Sequence, residues 1–132
     1  MFPVLCEPKL LLDVILHSLD RIAKTGVAME LNTSGLNKKI KEMNPFPDML
    51  IEMDKRDIPV VLGSDSHEPK RVAADFEQAL YLLQECGFQD VLYFLERKRQ
   101  PVSIMEAWRS LRAVEYMLWV LSRAEYSRFP CW

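Results

Sequence analysis

The sequence predicts an α/β fold: about three parallel strands alternating with four helices. Three observations point there. Short runs rich in apolar and β-branched residues, Val27–Asn32, Ile58–Gly63 and Val91–Phe94, are each bounded by turn residues. Stretches of helical periodicity lie between them and are long enough for crossovers, which makes the strands parallel. The middle run is apolar enough to be covered on both faces. Such crossovers are right-handed almost without exception. Three strands under four helices make a small object, expected to be part of a larger α/β architecture. No boundary within the chain suggests a second domain.

The first helix runs from Glu7 to Thr25, with Leu11, Ile15, Leu19 and Ile22 on one stripe, Pro8 in the first turn and Gly26 just past the end. The first strand leads into the turn residues Thr33-Ser34-Gly35 and a lysine-rich loop. A short helix from Pro47 to about Arg56 should bury Met49, Leu50 and Met53. After the second strand, Ser64–Pro69 opens a third helix carrying Val72, Phe76, Leu80 and Leu83 and stopping at Gly87. The third strand is followed by the basic run Arg97-Lys98-Arg99, read as a loop. Ser103 and Glu106 have capping-box spacing and start a last helix over Met105 to about Ser122, which should bury Trp108, Leu111 and Leu118 against the exposed side of the sheet.

Composition removes several function classes. The 132 residues are 49% hydrophobic and 27% charged, which argues against disorder. A formal net charge of −2 lacks the basic surface that duplex nucleic acid requires. No apolar run approaches the ~20 residues of a membrane span. The N-terminus has neither the basic nor the long apolar region of a signal peptide. Cys6, Cys86 and Cys131 lack paired spacing, so a reduced, cytoplasmic protein is expected.

Chemistry concentrates where strands end. Asp65 and His67 follow the second strand two residues apart; in extended backbone both would leave from one face. A carboxylate oxygen and an imidazole nitrogen together suit zinc, manganese or iron. The bland alternative is that Asp65 and Ser66 cap the next helix and His67 is a surface residue. Glu30 and Asn32 share parity on the first strand, and a glutamate inside an otherwise apolar strand needs a partner or a metal, because an unpaired buried charge is costly. Alternatively Glu30 bonds a neighbouring strand's side chain while Thr33-Ser34-Gly35 merely turn the chain. Arg97 could reach a phosphate. His17 falls on the polar face of its helix and reads as solvated. Met29, Met49, Met53, Met105 and Met117 read as core filling.

Taken together, Glu30-Leu31-Asn32-Thr33-Ser34-Gly35, then Ile58-Pro59-Val60-Val61-Leu62-Gly63-Ser64-Asp65-Ser66-His67, then Gly87-Phe88 and Tyr93-Phe94 resemble the C-terminal part of a PHP-family histidinol-phosphatase. The resemblance covers roughly Lys9 to Val102. It implies a partial (β/α) barrel over residues 1–102, with residues 103–132 a helical tail extra to the family and of unknown role. It implies metal-dependent hydrolysis of L-histidinol phosphate to L-histidinol and phosphate, in histidine biosynthesis. Asp65 and His67 match the family's last metal-binding motif; Glu30 and Asn32 match the strand-end motif before it, with Ser34 and Arg97 as further candidates for substrate contact or support. The family's opening His-x-His and its other ligands have no counterpart here, so the chain reads as cut from a longer one. Divalent ions would be incompletely held, and the isolated chain should be inactive. The alternatives are a non-catalytic interaction module, its tail helix covering the open face or docking a partner, and a PHP phosphoesterase with another substrate. The expected partners are a small phosphorylated substrate and, through the open barrel edge or tail helix, a second copy; no nucleic acid and no membrane are expected.

Overall fold

The computed structural model describes residues 8–126. Its elements in order are α1 (Pro8–Thr25), β1 (Met29–Asn32), α2 (Pro47–Asp54), β2 (Val60–Gly63), α3 (Phe76–Glu85), β3 (Asp90–Leu95), β4 (Lys98–Ser103) and α4 (Ile104–Tyr126), with single 3-10 turns at Ser34–Asn37 and Pro69–Arg71. The sheet has the order β1-β2-β3-β4. β1, β2 and β3 run parallel, with α2 and α3 as crossovers, and β4 returns antiparallel to β3. The expected α/β alternation is present. The sheet is mixed and four-stranded, however, because the basic run, expected as a loop, turns at Glu96-Arg97 and enters β4.

Alternation along the strands sorts their residues into two faces. Leu31, Val60 and Val91 point to the helices and are buried together with Leu19 of α1, Leu50 and Met53 of α2, Ala79, Leu80 and Leu83 of α3, and Ile104 of α4. The opposite face carries the cross-strand row Glu30, Val61, Leu92 and Pro101, in register across all four strands. None of these four is buried, nor are Phe94 and Arg99 of the next row. Among the described residues there are therefore two layers, with the helices that reach the core on one side and the other side of the sheet uncovered.

The helices depart from expectation in three places. α3 begins at Phe76 rather than near Ser64, and Val72 is exposed in the connecting segment. The cause is local: Ala73 and Asp75 adopt left-handed backbone, which no continuous helix admits. Leu11 is exposed at the outer half of α1, and Met105 and Met117 are exposed on α4, so these three do not fill the core. α4 starts on its expected cap, the Glu106 N–H donating to Ser103 Oγ at 3.2 Å. It packs beside α3 instead of over the open face: Trp108 and Leu111 pack against the core, and Trp108 Nε1 donates to the Glu77 carbonyl. The Leu118 and Leu121 side chains, and residues 127–132, lie outside the described residues. Met49, Leu50 and Met53 of α2 face the core as expected.

Candidate functional site

β1, β2 and β3 are parallel, so their C-terminal ends share one rim of the sheet, and every candidate residue beyond the strands lies there. Glu30 is exposed, which corrects the expectation of a buried charge: its sheet face is uncovered, and the carboxylate stays hydrated. It has a partner nonetheless, since Asn32 Nδ2 donates to Glu30 Oε1 at 2.7 Å. Asn32 Oδ1 in turn accepts the Ser34 N–H at 2.9 Å, which starts the 3-10 turn after β1. On β2, a Cβ at Gly63 would sit 2.4 Å from the Glu30 carboxylate carbon. Glycine there lets the carboxylate lie across the neighbouring strand.

Past Gly63 the backbone is not extended: Asp65 has φ 44°. The two side chains still meet, Asp65 Oδ1 lying 3.8 Å from His67 Nε2, with His67 90% and Asp65 57% exposed. Metal bonds from oxygen and nitrogen of ~2.0–2.2 Å allow two donors on one ion to stand at most ~4.2 Å apart. At 3.8 Å the two donors lie within that limit, wider than the ~3.4 Å at which adjacent tetrahedral ligands stand for such bond lengths. Among the described residues no group of three His, Cys, Asp or Glu is placed to hold an ion. Neither Asp65 nor Ser66 caps α3; Ser66 Oγ donates to the Glu68 carbonyl within its own loop. Arg97 occupies the β3–β4 turn at the same rim, with φ 64°, and no hydrogen bond or ion pair joins it to the Asp65–His67 pair. His17 is exposed on α1. A groove of about 830 Å³ between α3 and α4 is lined by Phe76, Tyr81, Trp108 and Leu111 and contains neither Asp65 nor His67. The pair stands open to water.

Thr33, a turn residue by sequence, has a further role in the structure. It is wholly buried, the one polar side chain in that class among the described residues. Its parity with Met29 and Leu31 would have placed it on the core face, where a hydroxyl must find an acceptor.

No protein-family model matches this chain. A protein of Deinococcus radiodurans named "Probable histidinol-phosphatase" is 41% identical to it over 86 residues, which is 65% of this chain and 33% of the relative. The resemblance noted in the sequence is thus supported as a partial relationship. The chain spans about a third of the length of the curated relative it matches. No helix of the described residues is long and apolar enough to cross a membrane.

Proposed function

We propose that the chain is a segment of a metal-dependent phosphomonoesterase acting on L-histidinol phosphate, in the manner its relative's name states, and that its sheet is part of a PHP-type (β/α) barrel. The observation that carries this reading is the Asp65–His67 pair at the end of β2, in a chain 41% identical to that relative over 86 residues. The helices on one side and the open, partly polar sheet face on the other suit a barrel segment, whose functional groups gather at the C-terminal strand ends. Asp65 would give a hard oxygen ligand and His67 a nitrogen ligand. A divalent ion held there would supply Lewis acidity toward a phosphoryl oxygen and acidify water at neutral pH. Glu30, hydrogen-bonded by Asn32, would add a hydrated carboxylate next to Gly63, and Arg97 would offer the phosphate a cation. Two ligands alone hold an ion weakly and position nothing, so turnover needs residues beyond these.

The test uses the 132-residue chain and a chimera in which it replaces the matching segment of the Deinococcus relative. The chain alone should release no phosphate from L-histidinol phosphate above background. The chimera should be active with manganese or zinc, and Asp65→Ala or His67→Ala should lower its activity by ~100-fold or more. An active chimera indifferent to both substitutions would overturn the assignment. Metal-dependent turnover by the short chain alone would overturn its inactivity.

A further inference from the structure

The segment between β2 and α3 carries Asp65 and His67 at its start and returns through two non-glycine residues in left-handed backbone, Ala73 at φ 57° and Asp75 at φ 64°. Such conformations carry a strain cost and persist only where their surroundings over-determine them. Local contacts supply part of this: Arg71 pairs with Asp75 at 3.1 Å, and the Ala74 N–H donates to the Arg71 carbonyl at 3.0 Å. They tie the segment only to itself. Among the described residues, the hydrogen bonds that tie it to the sheet come from one residue at another strand's end. The Thr33 N–H donates to the Gly63 carbonyl at 2.8 Å, where the segment departs. Thr33 Oγ1 donates to the Ala74 carbonyl at 2.8 Å, where it returns.

We infer that Thr33 is the positioning residue of the candidate site: its main chain and its hydroxyl hold the two ends of the Ser64–Asp75 loop together, and that closure sets Asp65 beside His67. Thr33 is wholly buried and acts only through the loop. A buried hydroxyl donating to a carbonyl 41 residues away crosses a low-dielectric contact, where losing the donor strands the acceptor. Asp65 and His67 are only two residues apart, so closure of the loop acts by narrowing the backbone conformers they sample together. The part of this inference that concerns metal rests on the function proposed above; the part that concerns the loop does not.

The experiment compares the wild-type chain with Thr33→Val, which removes the hydroxyl, and Thr33→Ser, which keeps it. Amide exchange and backbone relaxation are read residue by residue, and manganese affinity is read from broadening of the His67 ring signals. Thr33→Val should speed exchange over residues 65–75 by ~5-fold or more, leave α1 and α2 unchanged, and weaken manganese binding by a similar factor. Thr33→Ser should bring both readings back to within ~2-fold of wild type. Unchanged loop exchange in Thr33→Val, or a Thr33→Ser protein no better than it, overturns the inference. Should Thr33→Val not fold, the wild-type chain decides: Ala73–Phe76 must relax as rigidly as β1, and mobility like that of an exposed loop refutes the latch. If manganese leaves the wild-type His67 signals untouched, the metal reading falls, and the exchange arm still decides the role of Thr33.

Discussion

Two glycines near the strand ends are tight for different reasons, and substitution should separate them. A Cβ at Gly35 would stand 1.9 Å from the Glu42 carbonyl oxygen, which is backbone and cannot swing aside. Gly35→Ala should cost about 3 kcal/mol in urea unfolding. A Cβ at Gly63 meets only the end of the Glu30 side chain, at 2.4 Å, so Gly63→Ala should cost under ~1 kcal/mol while displacing the carboxylate and shifting the Asn32 side-chain amide signals. A third residue ties α1 to α2: Arg56 pairs with Asp20 at 2.6 Å and with Glu52 at 2.7 Å. Lys55 and Arg56 hydrogen bonds hold the Glu52 carboxyl below its ordinary value of 4.5, and the paired carboxylates raise Arg56. A depressed carboxyl adds stability that is complete above its unfolded value and is lost as pH falls through the folded one. The melting temperature should therefore drop on acidification below pH 4.5, and Glu52→Gln should flatten that limb in thermal melts followed by circular dichroism. Burial pushes the Cys86 thiol up, which marks it as core packing rather than chemistry.

Among the elements, the β3–β4 hairpin shows why some structure was hidden in the sequence. Its turn is Glu96-Arg97, with φ 49° and 64°, between the pair Leu95 and Lys98. Two-residue turns with left-handed backbone at both positions ordinarily declare themselves by Asn-Gly or Asp-Gly. Here charged L-residues adopt that conformation at a cost, and Pro101 inside β4 further masks a strand. Replacing the pair by Asn-Gly should raise stability by about 1 kcal/mol, read as a higher urea midpoint at constant slope. The delayed start of α3 was hidden the same way, because nothing in Ala73 or Asp75 announces left-handed backbone. By contrast α1, α2 and the cap of α4 were legible, since periodicity, Pro47 and the Ser103–Glu106 spacing are local signals. Which way α4 packs was not, because an apolar stripe says that a face is buried but not against what.

At the scale of the whole molecule, the two sheet faces are chemically unequal. Val91→Ser, on the helix-covered face, should cost about 3 kcal/mol, whereas Phe94→Ser, on the open face, should cost about 1 kcal/mol or less. Equal losses in urea unfolding would mean that both faces are packed. The same inequality explains what of the site could be read in advance. Strand order and parallel direction follow from the crossovers, so the gathering of Asn32, Asp65 and Arg97 at one rim was legible. The exposure of Glu30 was not, because a strand pattern cannot say which of its faces is roofed. The two outer strands are also unequal. β4 presents Lys98, Arg99 and the N–H-less Pro101 along its outer edge, while the outer edge of β1 is bridged only at Asn32, by Asn44, among the described residues. In the language of polymers the sheet has a valence of one: β1 can accept a neighbour, and β4 terminates the row. Edge-to-edge joining of the described sheet through β1 should therefore stop at a pair.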